Sequence, residues 1–234
     1  MALPSIATPE FQTIIPSIGE KISYRPFLVK EEKLLLMAME GNDQQEIANT
    51  ILKILKSCIM SEVDVDRLST FDVEYLFLQL RGKSVGEVIE LSVAHPEGEC
   101  KHRNQISISV DDIELSNSDN ETKIMLTDDV GVKMKYPTMT ETMNVSQFTL
   151  SDTETLFKLI TLSVDFVFDK ENVYSDFNEQ EIEDWINTLN QSQFAKIVQF
   201  FEGMPKLRHE VSYKCDKCGE EETIVLEGLQ SFFT

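Results

Sequence analysis

The first apolar segments of the chain are short and alternate with polar residues. Residues 11–15 and 21–25 have the pattern of β-strands, and Pro16 to Gly19 between them supply turn residues. Pro26 ends the second segment. The pattern therefore predicts an N-terminal β-hairpin.

Helical spacing follows, with apolar residues recurring every three or four positions. It predicts helices over residues 29–39, from Asp43 to about 58, and over 72–80. Asp43 is a suitable N-cap because its side chain can accept a backbone N–H. Cys58 falls on the apolar face of the second helix, so we expect it in the core.

The middle of the chain favours strands, over residues 85–94, 105–115 and 122–136. Helical spacing then returns. It predicts one helix whose apolar face runs from Leu156 to Phe168 and two more over 178–189 and 192–201. Two strand-like segments, 208–214 and 222–226, close the chain.

Cysteine spacing is the clearest chemical signal in the sequence. Cys215-x-x-Cys218-Gly219 lies between the last two predicted strands, which is the arrangement of a zinc knuckle. A second turn, between the strands that end near 94 and restart near 105, carries Cys100 and His102. We predict a structural zinc ion bound by Cys100, His102, Cys215 and Cys218. His95 is the alternative to His102 as fourth ligand.

Two other interpretations of the cysteine pair stay open. A redox pair usually begins a helix, where the helix dipole lowers the pKa of a thiol, whereas strand patterns flank Cys215 on both sides. The cysteines can also be incidental thiols. Against that, the two turns together hold three of the four cysteines and two of the three histidines.

These segments predict an α+β fold: an N-terminal β-hairpin plus helices, central antiparallel strands, a helical block, and a zinc-ribbon-like pair of β-hairpins. We divide the chain into four regions within one or two compact domains. They are the hairpin and helical region 1–84, the central β region 85–137, the helical region 138–205 and the C-terminal hairpin 206–234.

Charge narrows the range of partners. The 234 residues carry 41 acidic and 21 basic side chains, a formal net charge of −20. Such a surface repels phosphate backbones and anionic lipid headgroups, so we expect neither nucleic-acid nor membrane binding. The sequence contains no apolar run of the length that spans a bilayer, and its first residues lack the pattern of a signal peptide. We expect basic protein partners.

Catalytic motifs are absent from the sequence. It has no Gly-x-Ser-x-Gly elbow, no phosphate-binding loop and no dinucleotide fingerprint. Paired carboxylates for a hydrolase are conceivable in so acidic a chain, but nothing selects two of them. We therefore expect a protein that is not an enzyme.

Several segments resemble the baseplate hub subunit and hub assembly family of T-even-like phages. They extend over nearly the whole chain: residues 15–21, 24–33, 71–77, 81–86, 134–137, 200–207 and 226–233. The N-terminal segment is also similar, over a shorter stretch, to the start of tail assembly chaperones.

The resemblance implies a non-catalytic protein that acts in assembly of the central hub of a contractile tail. Its implied partners are other tail and hub proteins, including the tape-measure protein, and its implied location is the cytoplasm of the infected bacterium or the finished baseplate. Two roles remain open: a hub subunit retained in the virion, or a chaperone that leaves it. The resemblance implies no catalytic residues.

Overall fold

The computed structural model describes residues 6–41, 43–94, 100, 102–116, 121–146 and 152–232. They form two compact units. The first unit combines the described parts of Met1–Val65, Phe71–Ser116 and Lys206–Thr234, and the second combines Asp66–Thr70 with those of Asn117–Pro205. The chain thus leaves the first unit twice, briefly at residues 66–70 and then from residue 117 until it returns at residue 206.

The first unit begins with the predicted hairpin. Strand β1 (Phe11–Ile14) pairs antiparallel with β2 (Lys21–Tyr24), and the rings of Phe11 and Tyr24 lie 6.0 Å apart. Ile15, at the start of the turn, is completely buried. Because the strand residues alternate between the core and the solvent, the hairpin covers one side of the unit.

Three helices follow, each in a position that the spacing predicts. They are α1 (Val29–Gly41), α2 (Gln44–Cys58) and α3 (Thr70–Ser84). Asp43 caps α2 by accepting the N–H of Gln45, and Cys58 at the end of that helix is completely buried. Helix α3 buries apolar side chains around its whole circumference, which makes it the central helix of its unit: Phe71, Val73, Leu76, Phe77, Leu78 and Leu80.

Two further sheets complete the first unit. Strands β3 (Val88–Ala94) and β4 (Arg103–Ser109) form an antiparallel hairpin with alternate residues buried. Strand β10 (Lys206–Lys214) lies between β11 (Glu221–Glu227) and the short β5 (Glu114–Ser116). A 3-10 turn, Leu229–Phe232, then buries both of its end residues.

The second unit is a four-stranded antiparallel sheet with helices. The strands lie in the order β6 (Lys123–Met125), β7 (Gly131–Met134), β8 (Val164–Phe168) and β9 (Val173–Tyr174). The helices are α4 (Met139–Ser146), α5 (Asp152–Ser163), α6 (Glu179–Asn187) and α7 (Gln191–Glu202). The core of the unit joins the sheet to these helices through Val132, Ile160, Val164, Ile197 and Phe200.

The prediction of a helix through Phe168 is wrong over its last five residues. Helix α5 ends at Ser163, and Val164–Phe168 forms β8, which pairs with β7. Its β-branched and aromatic residues favour a strand once a pairing partner is available. The helical region predicted over 138–205 therefore contains two strands, β8 and β9.

Two of the predicted central strands are interrupted. In the segment 105–115, the Ser109 side chain accepts the N–H of Asp111 at 3.3 Å and starts a 3-10 turn between β4 and β5. In the segment 122–136, the Thr127 hydroxyl accepts the N–H groups of Asp129 and Val130, at 3.2 and 2.9 Å. Such hydroxyl-to-backbone bonds compete with strand pairing, so each segment turns.

Candidate metal centre

The turn between β10 and β11 fixes the positions of two cysteines. Cys215 donates its N–H to Glu220 O at 2.8 Å, and Gly219 donates to Cys215 O at 2.9 Å. Gly219 has φ of +76°, a left-handed conformation that glycine adopts without steric cost. The side chain of Cys215 is buried and that of Cys218 is exposed.

The N-terminal hairpin has the same turn without cysteines. Ile15 donates its N–H to Glu20 O at 2.8 Å, and Gly19, with φ of +70°, donates to Ile15 O at 2.8 Å. Ile15 and Ile18 occupy the positions of Cys215 and Cys218. The backbone of this turn therefore forms without thiols, so the two cysteines provide something other than the turn itself.

A third cysteine joins the pair from the other hairpin. Cys100 lies between β3 and β4, and its Sγ is 3.9 Å from the Sγ of Cys215. The sulfur atoms of Cys100, Cys215 and Cys218 all lie within 4.8 Å of one another, and all three residues are free cysteines. Residues 115 positions apart in the sequence thus meet at one point of the first unit.

Backbone amides stabilise a negative charge at this point. Hydrogen bonds from the N–H of Cys218, and then from that of Lys217, lower the pKa of the Cys215 thiol to about 6 against the effect of burial. For Cys218, the N–H of Glu220 lowers the pKa, but burial and the sulfurs of Cys215 and Cys100 raise it to about 11. The cluster therefore favours one thiolate, at Cys215, when no metal is bound.

The two histidines of the prediction have different outcomes. His102 is partly buried, and its ring nitrogens are not among the group of ligand atoms within 4.8 Å of one another that the described residues form. His95 lies outside the described residues. The structure thus brings together three of the four predicted ligands, and the assignment of His102 stays a prediction.

Asn104 is a residue of this site that the sequence analysis missed. It is 2% exposed, and its Oδ1 accepts the N–H of Asp216 at 3.0 Å, which ties β4 to the β10–β11 turn. A signal for it was present, because Asn104 shares the alternate positions of Ile106 and Ile108, which are buried. A polar residue on the buried side of a strand indicates a specific hydrogen bond.

Comparison with known proteins identifies the family. A family model described as "T4 bacteriophage base plate protein" matches residues 8–234. The chain belongs to this family. The resemblance noted in the sequence is thereby confirmed over nearly the whole chain.

This base plate family member is also similar to a named relative. It is 25% identical over 218 residues to "Baseplate hub assembly protein gp26" of Enterobacteria phage T4, and the alignment covers 92% of this chain and 94% of that protein. No solved structure matches the chain. Within the described residues, every helix is too short or too polar to cross a membrane.

Proposed function

We propose that this protein acts in assembly of the baseplate hub of a contractile phage tail, by binding other tail proteins and without catalysing a reaction. One observation carries the proposal: the alignment with the T4 hub assembly protein extends over 92% of this chain and 94% of the relative.

An exposed apolar surface on α1 supports a binding role. Leu34, Leu36 and Met37 are 51%, 55% and 58% exposed. Met37 lies between Leu34 and Leu36 around the helix axis, and we call the side of α1 that these three residues span the α1 apolar surface. Clustered exposed side chains of this kind mark sites of protein contact more often than isolated ones do. The net charge of −20 favours a partner whose contact region is basic.

The partner test uses tagged protein expressed during infection. We expect hub or other tail proteins, identified by mass spectrometry, to co-purify with it. The double substitution Leu36→Glu and Met37→Glu should reduce this co-purification at least about tenfold, which corresponds to 1.4 kcal/mol of binding free energy. Recovery of a metabolic enzyme in place of tail proteins would contradict the proposal.

A charge-matched control separates apolar contact from charge. Lys53→Glu, at an exposed position of α2, changes the net charge by the same amount as the double substitution. It should leave co-purification unchanged. An equal loss in both variants would mean that charge, and not the α1 apolar surface, governs the contact.

Purified virions distinguish the two assembly roles. A hub subunit is retained in the virion, whereas an assembly chaperone for hub or tape-measure proteins is absent from it. Quantitative mass spectrometry of virions therefore assigns one role or the other. The acidity of the chain favours the chaperone, because a strongly charged surface resists self-association while it shields a partner.

A further inference from the structure

We propose that Cys100, Cys215 and Cys218 bind one zinc ion, which ties the segment between β3 and β4 to the β10–β11 turn. The proposal concerns the fold of this chain and is independent of its role in hub assembly. It begins from the three sulfur atoms that lie within 4.8 Å of one another.

The sulfur spacing suits a tetrahedral metal ion. Zinc–sulfur bonds of about 2.3 Å place two sulfurs of a tetrahedral site about 3.8 Å apart. The sulfurs of Cys100 and Cys215 are 3.9 Å apart, and Cys218 needs only a small side-chain movement to complete the triangle. The sulfurs are too far apart for a disulfide, whose bond length is about 2.05 Å.

The surrounding backbone also suits bound thiolates. The N–H groups of Lys217 and Cys218 both donate to the sulfur of Cys215, and Gly219 closes the turn with a positive φ. Amide donors of this kind hold a negatively charged sulfur in one position. In addition, Asn104 fixes the β10–β11 turn by accepting the N–H of Asp216, the residue that follows Cys215.

Alternative roles for the three thiols fit the structure less well. A redox Cys-x-x-Cys pair draws its reactivity from a helix N-terminus, whereas Cys215 and Cys218 lie in a β-turn. Incidental core packing explains the buried Cys215 but not the exposed Cys218. Three thiolates are soft ligands, and zinc is a metal that such a set selects in a tetrahedral site.

A fourth ligand completes the site, and we assign it to His102. This residue lies just before β4, two positions after Cys100, and is partly buried. The assignment has its own test. His102→Ala should weaken zinc binding at least about tenfold, whereas an unchanged affinity would overturn the role of His102 and leave the three-cysteine site in place.

The decisive experiment compares two matched turn positions. The full chain is purified without chelators, and its metal content is measured by inductively coupled plasma mass spectrometry. We expect about one zinc ion per chain. Cys218→Ser should lose this zinc. Ile18→Ser, at the equivalent exposed position of the β1–β2 turn, should keep it. Both positions are exposed, so neither variant removes a core side chain.

Thiol counting distinguishes zinc from the alternatives. A chelator should make the thiols of the exposed Cys218 and the partly buried Cys100 reactive in the folded protein, while the buried Cys58 stays unreactive. Replacement of zinc by cobalt should give a thiolate-to-cobalt absorption band in the parent that Cys218→Ser greatly weakens. Less than about a tenth of a zinc ion per chain, or zinc retained in Cys218→Ser, would overturn the proposal.

Discussion

Glu74 provides the sharpest test of how burial controls stability in this protein. Its carboxyl lies on α3 in the first unit and accepts the backbone N–H of Leu229. Burial raises the pKa of Glu74 from 4.5 to about 7, although the hydrogen bond from Leu229 opposes the rise. The neutral form is therefore favoured in the folded protein, whereas the unfolded chain ionises readily.

The pH dependence follows from the direction of this change. The stability contributed by neutral Glu74 is fully present below pH 4.5 and is lost as the pH rises through about 7. At 1.36 kcal/mol per pKa unit, the loss amounts to about 3 kcal/mol by pH 8. Glu74→Gln stays neutral at every pH, and its side-chain oxygen can still accept the N–H of Leu229.

Urea unfolding at several pH values, followed by circular dichroism, measures the difference between the two proteins. We expect similar stabilities near pH 4.5 and a Gln variant that is more stable by about 3 kcal/mol at pH 8. Glu32→Gln, at an exposed position of α1, is the control and should follow the parent within about 0.5 kcal/mol. The reasoning would be refuted if the difference in unfolding free energy between the parent and Glu74→Gln did not change with pH. It would also be refuted if the parent were more stable than Glu74→Gln at pH 8.

Two other substitutions test single contacts, one in each unit. Burial raises the pKa of Glu31, but hydrogen bonds from Arg25 and other donors outweigh it and lower the pKa to about 2, so Glu31→Gln should cost about 1–2 kcal/mol at pH 7 after solvent screening. Urea unfolding should show this difference vanishing as the pH falls from 4.5 through about 2, and a constant difference would contradict it. In the second unit, a Cβ on Gly131 would clash with the Phe168 ring and lie 2.9 Å from Ile124 O. Gly131→Ala should therefore lower the stability by about 1–3 kcal/mol in thermal or urea unfolding, and an unchanged midpoint would show that the ring moves freely.

Helix boundaries were predictable where the signal is local. Asn178 and Asn190 each cap a helix and each form a reciprocal capping box, with Glu181 and Gln193 three residues later. Each of these contacts joins residues within one helical turn, so a short stretch of sequence is enough to predict them. The same holds for Asp43 at the start of α2.

Strand β8 shows what a local pattern lacks. Val164 and Val167 continue the apolar spacing of α5, and nothing within the segment 156–168 marks a boundary at Ser163. The backbone of β8 instead pairs with β7, about 30 residues earlier in the chain, and that pairing decides its conformation. Pairing between strands so far apart in the chain cannot be recognised from the pattern of residues in a short segment.

The candidate metal centre divides in the same way. The spacing of Cys215 and Cys218 predicts their shared turn, because a turn is a local structure. The position of Cys100 beside this pair depends on where the β3–β4 hairpin lies in the fold. The sequence suggests that position only because the segment between β3 and β4 also carries potential metal ligands. Asn104, which joins the two segments, was missed because its hydrogen bond is equally long-range.

The two matching turns show which part of the structure a metal ion can affect. Both β-hairpins close with the same backbone hydrogen bonds and a glycine of positive φ, and only one of them carries cysteines. Each is also tied to its surroundings by one side-chain oxygen, since Asp72 accepts the N–H of Ser17 and Asn104 accepts that of Asp216. In the β1–β2 hairpin the buried Ile15 completes the attachment through apolar packing. Cys215 occupies the equivalent position of its own turn and is equally buried, but its sulfur lies next to that of Cys100, 115 residues earlier in the chain. A metal ion bound there would strengthen the link between the β10–β11 turn and the segment between β3 and β4. It would not be needed for the turn itself, because the backbone hydrogen bonds of the turn form without it.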